Sequence, residues 1–522
     1  MSNTMSAPVS TTRATKLSPD SLSNRSAIAD MAPDEFRALG HSLVDSIADY
    51  LAQLPQARTA SPLLPDAMRA TLGATDIPET GTDIAPVIEK FSRTFFEHST
   101  HNGSPRFWGY ISGAPAPISM LADFLASSVN PNVGAWSLSP IASEIENESI
   151  RWLSQFLGLS GKWDGVLVSG GNMANIVGFF AARRAKAGWD IRTKGAADKS
   201  SQRLVLYVSA ETHTWIKKAA DMSGLGTDAI RWIPTDGEQR LITSELRKQI
   251  ETDRAAGLTP FLVVGTAGTV STGATDPLPE IAAICREYDL WFHVDGAYGA
   301  PAVAVDGASE DLKGLRLADS IAIDPHKWLY SSIEAGCLLT RHPDALHDAF
   351  AFKVPYYQFD DNEGQEVKNY FEYGPQNTRG FRALKIWLGF QQCGASGYRQ
   401  MIADDIALSE RLHEFVGQQP ELEQGTQALS ITTFRFIPSD LMDPNYDNEV
   451  TDYLNELNAR IATALRLSGQ AFVSNAHFGD VYMLRACIVN FRTSLADVKA
   501  LPEIIVRIGR DIDKQLRPHA HT

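Results

Sequence analysis

The chain has 522 residues, 44% of them hydrophobic, enough for two or three domains around a large core. A formal charge of −15 argues against nucleic acid or an anionic membrane as the main partner, and no apolar stretch approaches the roughly 18 residues of a membrane span. Four scattered cysteines, Cys285, Cys337, Cys393 and Cys487, have no paired spacing, which excludes a disulfide framework or a Cys-based metal site and points to a reducing, cytoplasmic setting.

Residues 1–28 are rich in Ser and Thr, carry Arg13, Lys16 and Arg25 against Asp20, and lack the apolar core of a secretory signal. A transit peptide shares this composition, but the reading is a disordered tail. Residues 29–115 read as an N-terminal helical segment. Pro33-Asp-Glu35 opens a helix, with proline in the first turn and acids at its positive end. Phe36, Leu39, Leu43, Val44, Ile47 and Leu51 then form one apolar face, for which a second subunit is the expected cover.

Residues 116–395 read as a large domain. Short apolar runs at Gly165–Val168, Leu204–Val208, Phe261–Val264, Leu290–Val294 and Ser320–Ile323 are each followed by turn residues. That alternation predicts an α/β domain with a mostly parallel central sheet. Residues 396–522 read as a smaller α+β domain, with a helix over Ile402–Val416, a strand at Ser430–Phe436, a helix near 448–468 and a strand at Val481–Ile488.

Two of the runs end in reactive groups. Ser320–Ile323 leads into Asp324-Pro-His-Lys327, and Leu290–Val294 leads into Asp295. An amine and a carboxylate at neighbouring strand ends are what pyridoxal phosphate needs, one for its aldehyde and one for its ring nitrogen. Ser169-Gly-Gly-Asn172 precedes a helix and can close backbone N–H groups around an anion. His213 follows another strand and can lie on a ring; Thr266 and Thr269 follow a further one, where their hydroxyls can reach a ring oxygen. Taken singly, each has a plainer reading as a turn, a helix cap or a structural histidine. Taken together, all five stand at strand ends, where open α/β sheets bind ligands.

Asp324-Pro-His-Lys-Trp-Leu329 and His293-Val-Asp-Gly-Ala-Tyr298 resemble the group II pyridoxal-phosphate decarboxylases, the family of aromatic-L-amino-acid, tyrosine, histidine and glutamate decarboxylases. Glu35-Phe-Arg-Ala-Leu-Gly40, Met120-Leu-Ala-Asp123 and Arg382-Ala-Leu-Lys-Ile-Trp387 are similar too, and the resemblance runs from about residue 30 to 515. It implies fold type I (aspartate aminotransferase-like), an obligate homodimer and active sites at the subunit interface. By this resemblance Lys327 is the Schiff-base lysine, Asp295 the pyridinium partner and His213 the ring-stacking histidine facing the substrate carboxylate. Gly171 and Asn172 fall where the family binds phosphate, helped by Asp324 and His326, and Ala297 packs on the other ring face. The family protonates the product carbon with a tyrosine on a loop after the lysine. Phe352–Gly364 resembles that loop, with Tyr356 and Tyr357 both candidates.

Two departures stand out. Animal aromatic decarboxylases follow the Tyr110 position with Phe-Pro-Thr, where this chain has Ile111-Ser112-Gly113, a change in the substrate-side wall. Asp324 stands where several members carry Asn. The expected activity is decarboxylation of an L-amino acid, with aromatic substrates (Dopa, 5-hydroxytryptophan, tyrosine or tryptophan) favoured by Trp108, Tyr110 and Trp136. Alternatives are an acidic amino-acid decarboxylase, for which Arg106 is the one argument, and a decarboxylating aldehyde synthase, whose members tend to lack the loop tyrosine or the stacking histidine. A catalytically silent scaffold is opposed by the intact Lys, Asp, His and Tyr set, and a dehydrogenase by the absence of Gly-x-Gly-x-x-Gly after any strand.

Overall fold

Strands covered by helices on both faces need no polar alternation, and the apolar runs of this chain are buried along almost their whole length. The computed structural model describes Ser23 and residues 27–73, 75–196, 203–352, 365–442 and 448–517. After the two-residue β1 (Phe107–Trp108), seven strands form one sheet. They are β2 (Asp164–Val168), β3 (Leu204–Ser209), β4 (Ile230–Ile233), β5 (Thr259–Thr266), β6 (Trp291–Asp295), β7 (Ser320–Ile323) and β8 (Gly336–Thr340). Their order across the sheet is β2-β8-β7-β6-β5-β3-β4. Only β8 runs antiparallel to its neighbours, β2 and β7. The α/β class, the mostly parallel sheet and all five expected strands are present; β4 and β8 are additions.

Register decides where the chemistry converges. Thr266 of β5 lies opposite Asp295 of β6, which lies opposite Ala322 of β7. The parallel strands therefore finish at one edge, and the residues that follow them meet there.

The chain divides into two compact units, one of residues 27–53 and 75–97 and one of the remainder. In the smaller unit, α1 (Pro33–Gln53) and α2 (Ile84–His98) join through a stacked pair, Tyr50 and Phe96, with centroids 4.6 Å apart. Neither helix has a fully buried residue, and Leu43, Val44, Val87, Phe91 and Phe95 are exposed. In the larger unit, α3 (Pro117–Val129), α4 (Pro140–Phe156) and α5 (Gly171–Lys186) lead into and cross the central sheet. The 35-residue α6 (Ala383–Gly417) is interrupted at Gly394, whose φ of +62° a residue with a side chain rarely adopts.

After α6 a second sheet forms from β9 (Leu422–Ala428), β10 (Ile431–Phe436), β11 (Phe472–Phe478) and β12 (Val481–Cys487), with β1 added parallel to β11. Two helices, α7 (Asn448–Ser468) and α8 (Leu495–Leu516), pack on it through an apolar cluster that includes Leu457, Ile461, Leu501 and Ile505. A Ser494–Asp497 capping box starts α8. Among the described residues no helix is long and apolar enough to cross a membrane.

Candidate active site

β7 stops at Ile323 and the chain turns through Asp324-Pro-His-Lys327, closed by the Lys327 amide donating to the Asp324 carbonyl at 2.9 Å. Lys327 Nζ lies 3.0 Å from Asp324 Oδ2, and His326 Nε2 lies 3.7 Å from the same oxygen. His326 Nδ1 is held 2.6 Å from the Ala335 carbonyl at the start of β8. The Lys327 amine beside it offsets the cost of burying Asp324, whose Oδ1 has no hydrogen bond among the described residues.

One strand over, Asp295 is 7% exposed. Its Oδ2 accepts from Trp215 Nε1 at 2.8 Å and its Oδ1 from the Ala297 amide at 3.2 Å. The Trp215 backbone N–H also donates to His213 Nδ1 at 3.3 Å. A neutral His213 therefore carries its proton on Nε2. Although the ring presents surface to solvent, desolvation by the walls around it lowers the His213 pKa; Asp295 pulls it up and Lys327 pushes it down. Trp215 ties His213 to Asp295, and β7 lies next to β6, so the groups that follow β3, β6 and β7 gather at one edge of the sheet.

Two residues before Asp295 on the same strand face, His293 is fully buried between Ser320 Oγ at 2.8 Å and Asn175 Oδ1 at 2.7 Å. Burial pushes its pKa down to about 4, so it is neutral below the site.

The residues fit pyridoxal phosphate. Gly170 and Gly171 open α5 with no side-chain cap, leaving backbone N–H groups for an anion. A Cβ on Gly171 would stand 2.6 Å from Asp324 Oδ2 and 2.9 Å from the Ala297 methyl; one on Gly170 would stand 3.3 Å from His326 Cε1. The cradle, Lys327 and Ala297 are thus within a few ångströms of one another, and the glycines keep it open. Asn172 is exposed beside them. Thr212 and Thr266 each present a buried hydroxyl with no partner among the described residues. The Thr269 hydroxyl, by contrast, bonds Thr272 Oγ1 at 2.8 Å within its own turn, so Thr266 is the freer hydroxyl.

On the substrate side, a Cβ on Gly113 would stand 2.2 Å from the Lys327 carbonyl oxygen, so Ile111-Ser112-Gly113 lies directly against the lysine turn. Tyr110, at φ +56°, is 60% exposed and tilts against Phe472 with centroids 5.7 Å apart. Trp136 donates its indole N–H to Glu144 at 2.8 Å, and no described contact brings it to Lys327. Arg106 pairs with Asp497 at 2.9 Å, which uses the charge that argued for acidic substrates. Tyr356 and Tyr357 lie outside the described residues.

Three features escaped the sequence reading. Trp215, clamping Asp295 and His213, was legible only as an apolar residue after His213. Arg485 on β12 is buried, donates to the Val270 carbonyl in the turn after β5, and has no carboxylate partner among the described residues; burial lowers its pKa. A lone arginine in the apolar run Val481–Ile488 was the available signal. The quoted motifs around Asp123 and Lys385 turn out to meet: Lys385 Nζ lies 3.0 Å from Asp123 and 3.2 Å from the Ser332 carbonyl, securing the chain beyond Lys327.

The profile of the pyridoxal-dependent decarboxylase conserved domain matches residues 65–435. The chain belongs to that family. Its cofactor is pyridoxal 5′-phosphate and its chemistry is amino-acid decarboxylation. It is 35% identical over 481 residues to an aromatic-L-amino-acid decarboxylase of Bacillus atrophaeus, covering 91% of this chain and 96% of the relative. The structure of Catharanthus roseus tryptophan decarboxylase in complex with L-tryptophan superposes with TM-score 0.81 at 26% identity, covering 92% of this chain and all of that one. The structure of Rhodiola rosea 4-hydroxyphenylacetaldehyde synthase gives TM-score 0.81 at 28% identity, covering 92% and 99%.

Proposed function

We propose that the protein decarboxylates an aromatic L-amino acid to the amine and carbon dioxide, working as a homodimer. The observation that carries this reading is the convergence of Lys327, Asp295 and His213 beside a glycine cradle, in a chain sharing 35% identity with an aromatic-L-amino-acid decarboxylase.

The bound cofactor supplies an electron sink for the pair released from the substrate Cα–carboxylate bond. Lys327 provides the amine that anchors it. Asp324 Oδ2, 3.0 Å away, holds that amine in place whenever it is free. Asp295, fixed by Trp215, would hold a proton at the ring nitrogen. Gly171 and Asn172 would receive the phosphate with His326 nearby, and Ala297, Thr266 or Thr269 and His213 would hold the ring. His213 would offer its Nε2 N–H to the substrate carboxylate. Tyr110, Ser112 and Gly113 would form the substrate-side wall, with Trp136, bonded to Glu144, as its outer candidate, and Tyr356 or Tyr357 would return the proton to Cα.

The dimer reading is supported by exposed apolar side chains on α3 and just after it: Leu121, Leu125, Val129, Leu138 and Ile141. The exposed apolar side chains of α1 and α2, within their own unit, give a second argument for it. Four cysteines without a disulfide agree with a cytoplasmic, reducing setting.

One observation favours a second reading. Arg485 offers a buried cation near Tyr110, without a carboxylate partner among the described residues, which suits a substrate bearing a second carboxylate. A screen of L-Dopa, 5-hydroxytryptophan, tyrosine, tryptophan and glutamate, with amine, carbon dioxide and peroxide measured together, tests both readings. Aromatic amine equal to carbon dioxide, without peroxide, is expected. Turnover of glutamate alone would install the second reading, and stoichiometric peroxide would make the protein an aldehyde synthase.

A further inference from the structure

Beneath the lysine turn is a buried carboxylate that the chemistry above does not use. Asp405 lies on α6 and is almost fully buried. Its Oδ2 accepts from Trp328 Nε1 at 2.9 Å and from the Tyr330 hydroxyl at 2.7 Å, and the Asn490 backbone amide donates to the same carboxylate. Trp328 and Tyr330 are the first and third residues after Lys327. No lysine, arginine or histidine pairs with Asp405 among the described residues; neutral donors alone compensate its charge. Replacing it by an apolar group would leave three buried donors unmet, so the contact is specific to an acceptor.

Two further observations bear on the turn. Tyr330 has φ +51°, a conformation that a bulky residue keeps only where its surroundings over-determine it. Trp328 stacks on Tyr298 with centroids 4.9 Å apart and planes 15° apart, and the Tyr298 hydroxyl lies 2.7 Å from Ser430 Oγ. Trp328 is therefore held edgewise by Asp405 and on its face by Tyr298, the neighbour of Ala297.

We propose that Asp405 is a positioning residue for Lys327: through Trp328 and Tyr330 it fixes the turn from which the lysine amine projects. This rests on the reading of Lys327 as the cofactor-binding amine. Asp405 acts at a distance from substrate and cofactor, on the geometry of the residues between.

The environment gives this role a titration signature. Burial pushes the Asp405 carboxyl up to about 7. The groups facing it are Tyr330 from the lysine turn, Tyr298 from the turn after β6, Cys487 from β12 and the exposed Asp404 from its own helix, with Tyr398 beside Tyr330. Burial raises the three phenols and the thiol further, so they stay protonated through this range. The turn itself carries Asp324, His326 and Lys327. An opening that exposes Asp405 returns it to the ordinary carboxylate value near 4, and so releases a proton between about pH 4 and about pH 7. Opening must then become easier as pH rises through that window, by about tenfold per unit for one proton.

Amide hydrogen exchange across Asp324–Ser331, followed against pH in the full-length protein with and without cofactor, reads this directly. The native protein should show the rising opening constant, Asp405→Asn should lose the Asp405 share of the slope, and Tyr330→Phe, one donor poorer, should carry the slope to higher pH. Asp405→Ala should speed exchange in this turn selectively and release cofactor faster; if it fails to fold, the Asn and Phe variants decide. An unchanged slope in Asp405→Asn, or faster exchange spread evenly over the chain, would overturn the proposal. If Lys327→Ala still held cofactor covalently while the slope persisted, the lysine reading would fail and the Asp405 contact would stand.

Discussion

Trp215 holds Asp295: the indole N–H meets the carboxylate at 2.8 Å in a site where Asp295 is 7% exposed. The same residue donates its backbone N–H to His213, so one side chain and its own amide orient two groups on different strands. Trp215→Phe keeps the packing and removes the charge-assisted bond. It should weaken cofactor binding on the order of tenfold, about 1.4 kcal/mol, with the fold intact. Equilibrium titration of the cofactor-free protein, alongside far-ultraviolet circular dichroism, checks this; native affinity would show that the indole bond is incidental.

Asp295→Asn preserves shape and removes charge. If Asp295 keeps the ring nitrogen protonated, kcat should fall on the order of a hundredfold to a thousandfold, the scale of one lost electrostatic contact in an active site. Thermal stability should fall only modestly, because the Asn carbonyl oxygen can keep the Trp215 bond while its NH2 gives up the bond from the Ala297 amide. Steady-state kinetics with the best substrate of the screen decides it, and near-native turnover would reduce Asp295 to a cap.

His293 makes the fold acid-labile from inside. Its pKa falls from the ordinary value near 6.5 to about 4 in the folded state, so the unfolded chain binds the extra proton in between. Stability from this group is complete above about pH 6.5 and is lost as pH falls toward 4, by roughly 3 kcal/mol. Asp276 and Asp405, pushed up by burial to about 6 and about 7, act in the opposite direction. Urea unfolding of native protein and His293→Asn at several pH values separates them. The native-minus-variant stability difference should shrink as pH falls, and a pH-independent difference would contradict a buried neutral histidine.

Most of the sheet was legible because strands buried on both faces read as continuous apolar runs, and Ser320–Ile323 was bounded to the residue. β4 was missed because only its ends are buried: Arg231 and Trp232 interrupt the apolar signal. The helix expected over Ile402–Val416 is the second part of α6, whose earlier stretch was masked by the glycines of Gly394-Ala-Ser-Gly397. Lys327, Asp295 and His213 could be singled out as candidates because each stands alone in chemistry at or just after a strand end. Asp405 was not, since one acid among the polar residues of Ala403-Asp-Asp-Ile406 looks like solvated surface until a tertiary partner is known. Arg485 needed the turn after β5 in space beside it.

Gly113→Ala is a sterically defined test of the wall. A methyl 2.2 Å from the Lys327 carbonyl must displace the turn or the wall. The expected result is a loss of covalent cofactor with the overall fold retained, measured by mass spectrometry of the intact protein after borohydride reduction. Native cofactor content would show that the wall, and not the lysine turn, yields.

The claim on which the rest depends is that Lys327 forms the covalent link to pyridoxal phosphate. Full-length protein loaded with the cofactor, reduced with borohydride, digested and mapped by mass spectrometry tests it most directly. The account predicts the reduced pyridoxyl group on Lys327 alone, with the yellow colour lost in Lys327→Ala. A modified lysine elsewhere, or a Lys327→Ala protein that remains yellow and active, would contradict it.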